Sequence, residues 1–178
     1  MSEPFHLSVA ETAADHSLGP HQASVIVVEY GDFACPNCKQ AAPAVKLLLQ
    51  RFAGRMRFIF RHFPLEEVHP YALQAAEAAE SAGAQGEFWK MHDLLFDKQP
   101  HLRLNNLHSY AEQLELDMAR YEADMKDHLY LQRIREHQQG GSASGARNTP
   151  TFFVNRRLHD VSFGLTRLFD AVERELIR

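Results

Sequence analysis

The stretch ASVIVVEYGD, Ala23 to Asp32, is a run of β-branched and apolar residues closed by Gly31 and Asp32, the pattern of a strand buried on both faces. It leads directly to Cys35-Pro36-Asn37-Cys38, which contains the only two cysteines of the chain. Behind them Ala41, Val45, Leu48 and Phe52 recur at three- to four-residue spacing between Cys38 and Gly54. That spacing predicts an amphipathic helix with Gly54 as its stop and both cysteines in its first turn. Pro36 suits a helix start, where the missing N–H has no intrahelical partner anyway, whereas Pro43 lies deeper and is expected to kink the helix.

The next strand is expected over RMRFIFRHF, Arg55 to Phe63, where charged and apolar residues alternate. From about residue 66 to 139 the pattern becomes helical, with Gly, Pro and Asn breaks separating about four helices. Thr151 to Asn155 reads as a strand, with a tight turn near Asn155 and Arg156 and a partner strand around Leu158 to Val161. A last amphipathic helix, Leu165 to Ile177, places Leu165, Leu168, Phe169, Val172 and Leu176 on one face. Residues 1–22 form an N-terminal extension with at most a short edge strand. The order strand, helix, strand, helical block, hairpin, helix predicts a single α/β domain over residues 1–178. Its first two strands pair in parallel through a right-handed crossover, and an all-helical subdomain is inserted into a mixed four-stranded sheet.

A chain of 178 residues buries an adequate core without staples, so the cysteines are not needed to hold it together. A formal charge of −4 offers no attraction to nucleic acid or an anionic membrane, and no segment approaches the roughly 20 apolar residues of a bilayer span. The N-terminal residues show neither the basic nor the apolar region of a secretory signal. A cytoplasmic setting is therefore expected, or a periplasmic one if the chain is a processed form.

A bridge between Cys35 and Cys38 closes too short a loop to constrain the unfolded chain much, so chemistry explains the pair better than stapling does. A thiol at a helix N-terminus meets unpaired N–H groups and the positive end of the helix dipole, which favour thiolate. Cys35 takes most of that benefit and is the expected nucleophile. Cys38, one turn on and deeper, is the resolving thiol. Glu29, at the end of the preceding strand, either is buried and handles the proton of Cys38 or simply faces solvent. Zinc is a rival reading, with His16 and His21 as further ligands, but the cysteine pair opens a long helix where structural sites use tight turns. No metal and no organic cofactor are therefore expected.

VEYGDFACPNCKQAAP, together with RHFPL (Arg61 to Leu65), FWKMHDLLF (Phe88 to Phe96) and NTPTFFVN, resembles the DsbA-like thiol:disulfide oxidoreductases of the thioredoxin superfamily. In that group a thioredoxin fold, a mixed sheet flanked by helices, contains a helical insertion. The resemblance runs from about Gly19 to the last helix. It implies that Cys35 and Cys38 are the redox pair, that Pro36 and Asn37 tune its potential, and that Glu29 is the family's buried acid. Pro43 matches the helix-kinking proline, and Pro150 the cis-proline that faces the disulfide, with the Thr149 backbone offered to an extended substrate. The expected substrates are protein or small-molecule thiols and disulfides, held over a mostly apolar groove that includes Phe33 and parts of the helical block. A thioredoxin- or glutathione-type system is the expected redox partner.

Two residues depart from the family pattern. Asn37 replaces the His or Tyr common there, which leaves the direction of electron flow open, and Arg157 stands where Gly often follows the strand. Relatives turned to glutathione-dependent transfer or isomerisation, or to binding alone, typically lose a cysteine, and both are present here. His62 and His92 read as structural, His69 as the start of a helix, and Phe88, Trp89 and Phe96 as core. Lys39, Glu77 and Glu80 read as solvated.

Overall fold

The computed structural model describes residues 5–162 and 164–178; the first four residues of the N-terminal extension lie outside them. Strands β1 (His16–Leu18) and β2 (Val25–Gly31) come first, and β2 leads into helix α1 (Pro36–Arg51) and then strand β3 (Met56–His62). Five helices follow: α2 (Ala72–Ala84), α3 (Phe88–Asp97), α4 (Leu104–Gln113), α5 (Met118–Lys126) and α6 (Leu131–Ala143). The chain closes with β4 (Thr151–Val154), β5 (Arg157–His159) and α7 (Thr166–Leu176).

The sheet order is β1-β3-β2-β4-β5. β2 lies at its centre, parallel to β3 through the α1 crossover and antiparallel to β4. Because side chains alternate along a strand, Val25, Val27 and Glu29 share the face that packs on α1, while Val28 and Tyr30 point to the other face with Ile59, Phe63 and Phe153. α1 presents Cys38, Ala41, Val45 and Leu48 to the sheet, at helical spacing. Its last residue is Arg51, and Gly54, at φ +78°, takes the left-handed turn three residues further on. Asn155 and Arg156 both adopt positive φ, which makes the tight link between β4 and β5.

Several features differ from the sequence expectations. The sheet has a fifth strand, because β1 pairs antiparallel with the free edge of β3. The N-terminal extension therefore covers β3, whose two arginines are buried. The Arg61 guanidinium donates to both carboxylate oxygens of Asp15, at 2.8 and 2.9 Å, to the carbonyls of Val9 and Ala10, and to the Tyr30 hydroxyl. The inserted block has five helices rather than about four. Asp117 caps α5 by accepting from the Arg120 N–H, and the helix ends where His128 turns left-handed at φ 49°.

Glu77 and Glu80 are also not a solvated face. α2 is rich in alanine, whose small side chains let α3, α4, α5 and α6 approach it on several sides, and both glutamates are buried. His62 and His16 donate from Nε2 to Glu80 Oε1 at 2.7 and 2.8 Å, and Arg133 lies 3.0 Å from Oε2. Burial opposes ionisation, but the bonds from His16 and His62 outweigh it and hold the Glu80 carboxyl well below the usual range. Glu77 accepts from His128 Nδ1 at 2.8 Å. The Glu80 cluster joins β1, β3, α2 and α6, so the extension, the sheet and the insertion are fastened at one carboxylate. Glu80→Ala is expected to destabilise the protein by about 3–5 kcal/mol, the usual consequence of leaving the partners of a buried charge unpaired. Urea unfolding at neutral pH measures this.

Candidate active site

The turn between β2 and α1 is built around a buried carboxylate. Asp32 accepts from the Ala34 N–H at 2.7 Å, the Leu65 N–H at 2.9 Å and His69 Nδ1 at 2.9 Å. Its own carbonyl accepts from the Cys35 N–H at 3.1 Å. These contacts place Cys35 at the N-cap of α1 with extended backbone, and Pro36 as the first helical residue. From the insertion, Gln99 donates from Nε2 to the Phe33 carbonyl and, at 3.2 Å, to the Cys35 carbonyl. The turn is thus held from the sheet side by Asp32 and from the helical side by Gln99.

Both cysteines are free thiols, Cys35 with 5% of its surface exposed and Cys38 fully buried behind it. The Cys35 thiol donates to the Thr149 carbonyl at 3.3 Å, and the Thr149–Pro150 peptide bond is cis. The Thr149 hydroxyl is buried without a partner in this state, so it is available to donate once Cys35 is a thiolate. The Cys35 pKa is brought down to about 5, first by the hydrogen bond from the Cys38 thiol, with further donors in Thr149 and the N–H groups of Cys38 and Asn37. Cys38 is pushed well above the ordinary thiol value by burial, by giving its proton to that bond, and by the nearby charges of Glu29 and Cys35.

Glu29 sits on central β2 between Phe60 of β3 and Phe152 of β4, on the α1 face and 2% exposed. Its Oε1 has no hydrogen-bond partner, and burial, reinforced by the Cys35 charge, pushes its pKa up to about 8. Of the two arrangements left open by the sequence, Glu29 has the buried one.

The first turn of α1 forms a ridge between two depressions. Asn37 and Gln40 line a cleft of about 780 Å³ that sets Asn148, Thr151 and His159 beside Pro150, Leu158, Val161 and Leu165. Pro36 and Lys39 line an apolar depression of about 400 Å³ on the side of the helical block. Phe33 contributes to neither. Its ring is buried against Phe60, His92 and Phe96, so the expectation that it lines a substrate groove is corrected: the aromatic side chain belongs to the core. Asp32, His69 and Gln99 were not identified as site residues from the sequence. Asp32, two residues before Ala34, carries the signal of a side-chain-to-backbone turn, whereas nothing in the sequence ties Gln99 to a loop 64 residues away.

A family model described as thioredoxin matches residues 11–174. The chain belongs to the thioredoxin family. Two solved structures share this thioredoxin-family fold with inserted helices. BdbD from Bacillus subtilis, in its oxidised form, superposes with a TM-score of 0.82 at 22% identity, covering 92% of this chain and 94% of that one. A thioredoxin-like oxidoreductase from Silicibacter pomeroyi superposes with a TM-score of 0.82 at 25% identity, covering 94% and 95%. A curated relative from Salinispora arenicola, named Na(+)/H(+) antiporter NhaA 1, is 51% identical over 158 residues, which are 89% of this chain but only 24% of that protein. The antiporter name thus belongs to chains about four times as long as the shared segment. Among the described residues no helix is long and apolar enough to cross a membrane.

This thioredoxin-family arrangement, with a low-pKa thiol at a helix start and a second thiol bonded to it, supports thiol–disulfide exchange. Alkylation of reduced protein by iodoacetamide is expected at Cys35 alone, with a rate that rises around pH 5 and not near the roughly 8.5 of a free thiol. Gln99→Ala removes a donor from the carbonyls beside the thiolate. It is expected to move that midpoint up by about half to one pH unit, the size of one hydrogen bond. Alkylation rate against pH, with mass mapping of the modified thiol, checks both.

Proposed function

We propose that the protein is a thiol-disulfide oxidoreductase that exchanges its Cys35–Cys38 couple with cysteines of protein or small-thiol substrates through a mixed disulfide on Cys35. The observation that carries this reading is the contrast between the two bonded thiols, one ionised at neutral pH and the other buried and protonated.

In the reducing direction the Cys35 thiolate attacks one sulfur of a substrate disulfide. A sulfur–sulfur bond forms to Cys35, and the substrate's other sulfur leaves as a thiolate. The Cys35 charge has then gone, and with it one of the two causes that raise the Glu29 pKa. Glu29 can therefore give its own proton to the departing thiolate or to solvent and then accept the Cys38 proton, directly or through a water. The Cys38 thiolate attacks Cys35 Sγ, the enzyme disulfide forms, and the second substrate sulfur is released and protonated. In the oxidising direction a substrate thiolate attacks Cys35 of the enzyme disulfide and the same steps run backwards. The substrate lies extended against the Thr149 backbone at Pro150, and Asn37, on the wall of the larger cleft, acts on the balance between the two directions. A cytosolic glutathione- or thioredoxin-type system restores the couple, and no organic cofactor takes part.

Equilibrium titration against glutathione is expected to show one reversible two-electron couple, absent in Cys35→Ser. Cys38→Ala is expected to accumulate the mixed disulfide, seen as an adduct by mass spectrometry. A protein with no reversible couple would rule the proposal out.

Glu29 generates a prediction of its own. In the folded protein it keeps its proton up to about pH 8, whereas in the unfolded chain it loses it near 4.5. Between those values unfolding releases a proton, so this group's contribution to stability declines as pH rises from about 4.5 to about 8. The stability difference between Glu29→Gln and the parent should therefore grow in favour of the variant across that window. The variant should also resolve mixed disulfides more slowly. A flat difference curve with an unchanged resolution rate would make Glu29 merely structural.

A further inference from the structure

We propose that the apolar depression beside Pro36 docks an apolar side chain that neighbours a carboxylate in a protein substrate. This rests on the oxidoreductase reading and deepens it, because it names what the helical side of the site selects.

The depression begins one residue from the nucleophile. Its floor and walls come from Ala34 and Pro36 of the active-site turn, Val68 and Tyr71 before α2, and Pro100 and Leu102 of the α3–α4 link. Val68 is 66% exposed and Tyr71 37%, large apolar groups held in water next to a reactive thiol. Its other wall carries charge of one sign. Lys39 lines it, no carboxylate does, and the Arg103 guanidinium stacks 5.9 Å over the Tyr71 ring. Asp32 lies beneath His69 but is fully buried and engaged by its three donors, so it does not face the depression. On a chain with a formal charge of −4, a cationic rim around an apolar hollow is a local departure that fits an acidic-apolar segment and repels a basic one.

The opposite depression is larger and mixed in character, with Asn37, Gln40, Asn148 and Asp160 set among Leu158, Val161 and Leu165. A substrate crossing the ridge at Cys35 therefore meets unlike surfaces on its two sides. An extended segment advances about 3.3 Å per residue, so the side chain that reaches the depression belongs to a residue within a few positions of the substrate cysteine.

The test uses reduced protein and short peptides whose single cysteine carries thionitrobenzoate in a mixed disulfide. Attack by the Cys35 thiolate breaks that disulfide, forms the Cys35–peptide bond and releases the coloured thiolate. Three peptides place Leu-Glu, Leu-Lys or Ser-Glu beside the cysteine. The Leu-Glu peptide is expected to react about tenfold faster than Ser-Glu, the worth of partly burying one leucine side chain, and faster than Leu-Lys. The double variant Val68→Ser with Tyr71→Ser should collapse the Leu/Ser ratio towards unity, and Lys39→Glu should invert the Glu/Lys preference.

Equal rates for all three peptides, or ratios that the variants leave in place, would overturn the pocket while leaving the redox couple intact. Saturable competition by oxidised glutathione, lost in the double variant, would overturn a protein substrate in favour of a small thiol. A dimer in size-exclusion chromatography that the double variant disrupts would assign the surface to a second copy instead. Release from none of the peptides, with no reversible couple in the glutathione titration, would sink the oxidoreductase reading itself.

Discussion

The carboxylate of Asp32 is the contact on which the rest of the site depends. Moving a charged group out of water is expensive unless hydrogen bonds replace hydration, and Asp32 is given three donors from two different stretches of chain. One of them fixes the turn into α1, and the other two draw in the segment that follows β3. The cysteine pair can then occupy the first turn of a helix behind a fully buried strand, with the helix start aimed at the link into β4. A thiol there meets N–H groups at one end and the Thr149 backbone at the other. The same clamp positions His69, so the wall of the apolar depression is set by the residue that sets the nucleophile.

Glu29, Cys35 and Cys38 form one electrostatic unit. Each shift is partly caused by another member: Cys38 stabilises the Cys35 thiolate, the thiolate raises Glu29, and both charges raise Cys38. Protons bound by such a group belong to the set rather than to single residues. Removing the Cys35 charge, as a mixed disulfide does, relaxes Glu29 and Cys38 together. In the proposed mechanism Glu29 becomes competent as proton acceptor at the step that needs one, without any movement of the backbone.

The order of elements, the burial of β2, the stripe on α1 and the Asn155–Arg156 turn were legible because each follows from local rules of spacing and backbone conformation. Glu77 and Glu80 were misread for a reason that is not local. Charged residues on an alanine-rich helix ordinarily face water, and only the arrival of His16, His62, Arg133 and His128 from distant segments makes burial tolerable. The break at His128 was hidden because histidine is not a residue that marks a left-handed turn. Phe33 was placed at the surface through its nearness to Cys35, yet a ring one residue from an exposed turn can still point into a cluster of aromatics. Gln99 was beyond reach, since it meets the turn only through the packing of the whole insertion.

That packing bears on why a helical block is inserted here at all. A sheet, a helix start and a proline loop already bring together the two thiols and the Thr149 backbone. The insertion adds Gln99 against the carbonyls of the turn, a carboxylate, Glu80, that locks the N-terminal extension in place, and Tyr71, Pro100 and Leu102 around the depression beside Pro36. In the proposed function the first acts on the reactivity of Cys35, the second on rigidity and the third on what can approach. The curated relative from Salinispora arenicola is about four times as long as the segment it shares with this chain. The contacts that hold the turn carrying Cys35 thus come from the insertion and from the segment after β3, both within the stretch shared with that relative.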